Sequence, residues 1–257
     1  MAHFLEAGVS PWAPCLCSYL FPASRVPADP AVWRAALSLP HDALVATLAA
    51  AWPTSLAGQL SAAPPAAHAA IVQAAATFVN GSSGLRASPQ ALLAIHGTAL
   101  DALAQFRWIQ VRGPRTAGPA AAAVLASRLG ALAEIASLSF HGTLSGADAT
   151  AALIATLPPL TALTTLDLSD CGLGATGVSA LADRGDQLAG LRRLHLGDNG
   201  LSARGAASLA TLLPSTPRLW ELHLESNSFG SEVHPALIAP TCFSCPPGSP
   251  QGSEKGL

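Results

Sequence analysis

Histidine and carboxylate side chains recur at a fixed interval in the second half of this 257-residue chain. Asp167, His195 and His223 follow one another at intervals of 28 residues, and Glu225 and His141 occupy related positions. Imidazole and carboxylate groups are both ligands of Zn²⁺, so such side chains on neighbouring strands are able to share an ion. The same residues also suit the solvated face of a sheet, and no further group in the sequence is evident that would orient them as ligands. We therefore predict no metal and no cofactor.

Motifs of the common catalytic classes are absent from the sequence. It contains no nucleophile elbow, phosphate-binding loop, metalloprotease helix or dinucleotide-binding fingerprint. Cys242 and Cys245 form a single C-x-x-C pair, and no second pair follows to complete a zinc site. The sequence therefore predicts a non-enzymatic protein without catalytic residues.

Except for His141, these histidines and carboxylates lie within three copies of one repeated sequence motif, each of which we call a line. The lines begin at Leu163, Leu191 and Leu219, and each reads L-x-x-L-x-L-x-x-N/C-x-L, apart from a phenylalanine at the last position of the third. Within a line, the two leucines around a single residue alternate with polar residues, as the two faces of a β-strand do. Each line therefore predicts a short strand with leucines on its buried face and the polar residues on the other.

A second element repeats behind the strands. Gly177 and Leu181 follow the first line at the same distance at which Gly205 and Leu209 follow the second. Residues four apart share one face of a helix, so a helix with a small residue and a leucine towards the core is predicted in each repeat.

Weaker copies of the pattern precede the three lines. They begin at Phe106 and Ile135, and an opening unit with a poor strand near residues 78–84 comes before them. Strands stack about 4.8 Å apart, whereas helices need about 10 Å of width. A chain that alternates the two therefore curves, with the sheet on the inside of the arc.

The repeated line is the signature of leucine-rich repeats. A period of 28–29 residues with a helix in each repeat resembles the ribonuclease-inhibitor-like class, which includes the Ran GTPase-activating proteins. The resemblance covers about residues 78–239 and is most specific for residues 163–229. It implies an α/β fold: a right-handed leucine-rich-repeat solenoid with a curved parallel sheet inside, helices outside and an α-helical N-terminal region.

Proline content and the repeats divide the chain into four segments. Residues 1–30 are proline-rich, so poor order is predicted there. Residues 31–77 are predicted to form a helical N-terminal cap, and residues 78–240 a solenoid of about five to six repeats. Residues 241–257 are rich in proline, glycine and serine and read as a disordered tail.

The polar positions of the strands form columns across the concave face of the predicted sheet. Members of the resembled class usually bind proteins there, which implies a protein–protein interaction scaffold. The alternatives are a sheet face that is merely solvated and a regulator of small GTPases similar to the Ran GTPase-activating proteins. The predicted partner-binding residues are Ser139, His141, Thr165, Asp167, Ser169, Arg193, His195, Glu221, His223 and Glu225.

The net charge of the chain and its cysteine content indicate which classes of partner and which cellular compartment to expect. A net charge of −2 gives no electrostatic reason to expect nucleic acid or an anionic membrane. Five cysteines without a regular framework, and no signal-peptide pattern, favour a cytoplasmic location, with the nucleus as the alternative. Leu222, Leu224 and Leu237 are expected to leave an apolar edge, covered by missing repeats or by self-association.

Overall fold

A computed structural model describes residues 30–51, 60–61, 63–79, 81–95, 98–129, 132, 134–157 and 159–229. The predicted disordered tail, nearly all of the proline-rich first segment, the Cys242–Cys245 pair and Leu237 lie outside these ranges. The boundaries proposed for the four segments stay predictions.

One open sheet runs through the described part of the chain, with its strands in sequence order. The strands are β1 (Thr77–Val79), β2 (Ser82–Ala87), β3 (Trp108–Val111), β4 (Ser137–Ser139), β5 (Thr165–Asp167), β6 (Arg193–His195) and β7 (Glu221–His223). β1 pairs antiparallel with β2, and each later pair is parallel. The six parallel strands therefore begin at β2, in the opening unit whose strand pattern is poor.

Helices connect the parallel strands, as parallel pairing requires a crossover. After β2 come α4 (Pro89–Ala94) and α5 (Thr98–Asp101), and single helices follow the next four strands: α6 (Pro119–Arg128), α7 (Ala147–Thr156), α8 (Gly174–Ala182) and α9 (Ala203–Leu212). The helices α1 (Pro30–Leu37), α2 (His41–Ala51) and α3 (His68–Ala74) precede the sheet. This order confirms the predicted α/β solenoid with an α-helical N-terminal region.

The core lies between the sheet and the helices and is made of the repeated leucines. Leu166 of β5 and Leu194 of β6 are fully buried, as are Leu181 of α8 and Leu209 of α9. In β7 the equivalent Leu222 is only partly buried. The buried leucines thus form a continuous layer that each repeat extends by one unit.

A left-handed backbone turn follows each of the last four strands. Asp170, Asp198 and Ser226 have φ values of 57°, 56° and 56°, and Gly142 occupies the same position one repeat earlier with φ 66°. Asp is among the residue types that tolerate this conformation best, and glycine adopts it freely. After β4, β5 and β6 the turn sends the chain away from the strand and towards the helix that follows.

Asn199 joins two consecutive repeats through its buried side chain, of which 2% is exposed. Its Oδ1 accepts hydrogen bonds from the backbone N–H groups of Cys171 (3.0 Å) and Leu173 (3.2 Å) in the preceding repeat. Its Nδ2 donates to the carbonyl oxygens of Leu168 (2.9 Å) and Gly197 (3.0 Å). The N–H groups of Cys171 and Leu173 and the carbonyl of Leu168 thereby gain a partner within the buried turn. The Gly197 carbonyl also accepts a hydrogen bond from the Asp170 N–H.

Cys171 takes the asparagine position one repeat earlier and is fully buried. Its Sγ contacts the carbonyl oxygens of Phe140 (3.2 Å) and Ser169 (3.4 Å). Burial is the largest effect on the thiol and raises its pKa above the ordinary value, although neighbouring backbone hydrogen bonds act in the opposite direction. These contacts give Cys171 a structural role, in keeping with its place in the repeated line.

Replacing Asn199 with alanine is expected to lower the free energy of unfolding by about 3–5 kcal/mol, because three buried backbone groups lose their partner. Asn227 is the matched control, since its side chain makes equivalent bonds to Asn199, Leu201, Leu196 and Glu225 but is only partly buried. Water is able to replace those bonds, so Asn227→Ala should cost less. Urea unfolding followed by circular dichroism measures both, and equal losses would contradict the bridging role of Asn199.

The raised pKa of Cys171 predicts a loss of stability at alkaline pH. The unfolded thiol ionises near pH 8.5, whereas the folded thiol stays protonated to higher pH, so the free energy of unfolding should fall as pH rises above about 8.5. In a variant with Cys15, Cys17, Cys242 and Cys245 changed to serine, unfolding is measured with and without the further change Cys171→Ala. The alanine variant should show a shallower decline, and identical slopes would contradict the prediction.

Candidate functional site

The strand register aligns the predicted site residues into columns on the concave face. In one column Ser139 lies beside Asp167, Asp167 beside His195, and His195 beside His223. In the neighbouring column Thr165 lies beside Arg193, and Arg193 beside Glu221. These residues come from short strands whose positions the buried leucines fix, so the columns have a rigid support.

In the column that contains Ser139 and Asp167, the side chains on β4 and β5 form hydrogen bonds within the protein. Ser139 Oγ donates to Asp167 Oδ2 at 2.8 Å, and the backbone N–H of Ser169 donates to Asp167 Oδ1 at 3.0 Å. Ser139 and Ser169 are each only 8% exposed. Two of the predicted partner-binding residues are therefore buried, and Asp167 serves to hold the strand ends.

At β6 and β7 the same column presents two stacked imidazole rings. The ring centroids of His195 and His223 are 4.4 Å apart, and the rings are within 5° of parallel. Glu221 Oε1 lies 2.9 Å from His223 Nε2 and 3.9 Å from His195 Nε2. The carboxylate of one column therefore reaches across to the tips of both rings in the next.

Glu225 lies beside His223, next to the two stacked rings and Glu221. Its Oε2 lies 3.5 Å from His223 Nδ1. Its carboxylate lies over Gly197, where an added Cβ would come within 2.8 Å of Oε1. A larger residue at Gly197 would therefore displace Glu225, so the glycine leaves room for a carboxylate beside the second ring nitrogen of His223.

Arg193 lies between a carboxylate and an aromatic ring. Its Nε is 3.3 Å from Glu221 Oε2, and its guanidinium carbon is 5.2 Å from the centroid of the Trp220 ring. The distance to Trp220 is within the range of a cation–π interaction. Sequence reasoning missed Trp220, although it stands at a variable position of the repeated line directly before β7.

A second arginine–tryptophan contact lies at the other end of the sheet. The Arg86 guanidinium carbon is 5.9 Å from the centroid of the Trp108 ring. The Trp108 ring lies over Gly84, where an added Cβ would fall 1.8 Å from its Cε2 atom. Glycine on β2 thus allows the indole on β3 to lie flat across the neighbouring strand.

The side chains on this face of the described strands provide hydrogen-bond donors and acceptors that suit molecular recognition. Arg193 provides hydrogen-bond donors, Glu221 and Glu225 provide acceptors, and His195 and His223 provide both in the neutral state. Arg193, His223 and Glu225 keep 49%, 42% and 60% of their side-chain surface exposed. His141 is exposed in the turn after β4, and Thr165 of β5 is half-buried.

Comparison with known proteins identifies the repeats. A family model described as Leucine Rich repeat matches residues 160–182 and 191–210, which contain β5 with α8 and β6 with α9. No curated protein sequence matches the chain. In the described part of the chain, no helix has both the length and the apolar character needed to cross a bilayer. The repeated leucine core, the parallel strand order and the family match together show that the chain contains leucine-rich repeats.

Proposed function

We propose that the chain is a non-enzymatic scaffold that binds a protein partner through the concave side of β5, β6 and β7. The observation that carries the proposal is a contrast between the two sides of these strands. The core positions repeat leucine, whereas the concave positions carry arginine, histidine, glutamate and threonine. Varied polar residues on a rigid support are typical of recognition surfaces.

The side chains at β6 and β7 suit an interface in type and in position. Arginine and tryptophan are enriched among the residues that contribute most to binding energy. Arg193 contacts both Trp220 and Glu221, so its conformation is restricted before a partner arrives. Restriction of this kind reduces the side-chain entropy lost on binding.

The mixture of charges indicates the chemistry of the partner. Glu225, which lies 3.5 Å from His223 Nδ1, and Asp198, in the turn after β6, are exposed acidic residues. A partner surface with a basic group opposite Glu225 and an acidic group opposite Arg193 would complement this arrangement.

The finer assignments stay proposals. A relation to the ribonuclease-inhibitor-like class rests on the 28-residue period and on the helix in each repeat. The proposal of a small-GTPase regulator rests on that resemblance alone. Arg193, the concave arginine of β6, forms an ion pair with Glu221. The cytoplasmic location stays a prediction from the sequence.

The combined substitution Arg193→Ala/Glu221→Ala/His223→Ala is expected to remove the partner while leaving the fold intact, since all three side chains are partly exposed. Each tenfold loss in affinity corresponds to about 1.4 kcal/mol, so the loss of two or three contributing contacts should weaken binding at least tenfold. The measurement is chemical crosslinking of the full chain in cell extract, with quantitative mass spectrometry of the captured proteins.

The matched control is Arg204→Ala/Asp186→Ala/Thr211→Ala on the helical side. It removes one basic, one acidic and one neutral side chain, all exposed. Proteins lost with the concave variant and kept with the control support the proposal, provided both variants melt at the temperature of the wild type. Equal capture by both variants and the wild type would sink it.

A further inference from the structure

Three ligand-type side chains converge at the C-terminal end of the described sheet. One ligand atom each of His195, Glu221 and His223 lies within 4.8 Å of the other two. Within the described ranges, this is the one set of three or more histidine, cysteine, aspartate or glutamate side chains that meets this spacing. The set differs from the one that the sequence suggested, because Glu221 takes the place of Asp167.

We propose that His195 Nε2, Glu221 Oε1 and His223 Nε2 bind one Zn²⁺ ion. Tetrahedral zinc with bonds of about 2.0–2.1 Å places its ligand atoms about 3.3 Å apart. Glu221 Oε1 lies 2.9 Å from His223 Nε2 and 3.9 Å from His195 Nε2, so these distances lie on either side of the required value. The two rings lie farther apart, with centroids 4.4 Å from each other, so their Nε2 atoms must approach by about 1 Å for all three atoms to coordinate one ion.

The two rings are able to make that adjustment. In the stack, the lone pairs of parallel rings run side by side, so each imidazole must tilt for the two nitrogens to converge on one ion. The side chains of His195 and His223 are 29% and 42% exposed. Rotation of partly exposed rings leaves the leucine core undisturbed.

Groups around the three ligands supply the outer contacts that metal sites require. In the metal-free chain His223 Nε2 carries a proton towards Glu221 Oε1 at 2.9 Å, and Zn²⁺ would take the place of that proton. Glu225 Oε2, at 3.5 Å from His223 Nδ1, is then the carboxylate that faces the Nδ1 proton of the metal-bound ring. Arg193 Nε holds Glu221 Oε2 at 3.3 Å, so Oε1 is the oxygen turned towards the rings. Glu225 also offsets the positive charge that Arg193 brings near the ion.

The donor set indicates which ion would bind. Two imidazole nitrogens and one carboxylate oxygen suit Zn²⁺, whereas Mg²⁺ and Ca²⁺ prefer oxygen ligands throughout. Three protein ligands leave a fourth position of a tetrahedral ion open to the concave side, where water or an external donor completes the shell. Zinc binding by the free chain does not depend on the proposed protein partner.

The test uses the full chain with Cys15, Cys17, Cys242 and Cys245 changed to serine, which removes competing thiolate ligands outside the described residues. Calorimetric titration with ZnCl₂ should show one saturable site per chain, and titration with MgCl₂ should show none. His195→Ala, Glu221→Gln and His223→Ala should each weaken Zn²⁺ binding by more than tenfold. Glu225→Gln should weaken it by about 10–100-fold, the usual effect of removing an outer contact.

The control is His41→Ala, which removes an exposed histidine from α2, on the N-terminal side of the sheet. It should leave Zn²⁺ affinity unchanged. Co²⁺ gives a second measurement, because the visible absorption of four-coordinate Co²⁺ should appear with the parent chain and vanish with His195→Ala/His223→Ala. Metal-free melting curves identify any variant that fails to fold. The Zn²⁺ affinities of the variants that do fold then test the proposed ligands.

No saturable Zn²⁺ binding by the parent chain would overturn the proposal. So would equal affinity in the parent and in the folded His195→Ala/His223→Ala variant, because the ion would then be held elsewhere. Either result would leave the proposed protein interaction standing, since that rests on separate measurements of captured proteins.

Discussion

The fixed 28-residue register between neighbouring parallel strands is the constraint on which the rest of this structure depends. Backbone hydrogen bonds pair Leu166 with Leu194 and Leu194 with Leu222, and the amide of Asn199 secures the same offset at the turn. Each strand is only three residues long from β4 onwards, so pairing alone orders little chain. The buried leucines and the amide contacts between repeats supply the remaining stabilisation.

The same register decides what the concave face contains. Equivalent residues of successive repeats lie one strand spacing apart, so similar side chains are forced into contact. His195 and His223 stack for this reason, while the opposite charges of Arg193 and Glu221 form an ion pair. Exposed ion pairs contribute little to stability, commonly about 0.2–1 kcal/mol. The importance of these histidine, arginine and glutamate side chains is therefore that they bring several binding groups together on one surface.

The leucine pattern predicted the strands from β3 to β7 and the columns between them, because side chains alternate strictly along a strand. It gave no clear strand at β2, since Ser82–Ala87 offers only Leu85 and Ala87 to the core. The leucine pattern also did not predict in which direction the polar side chains of the strands point. Glu221 leans out of its own column towards His223, and Ser139 is buried against Asp167. Both outcomes depend on rotamers and neighbours that spacing does not specify.

The stack of His195 on His223 also has an evolutionary consequence. Each column receives one residue from each 28-residue unit, so duplication of a whole unit lengthens every column by one side chain and preserves the leucine core. Insertion of a single residue within a strand would instead turn polar side chains inwards and leucines outwards. Heritable change in this surface is therefore confined to substitution at concave positions and to the gain or loss of complete units.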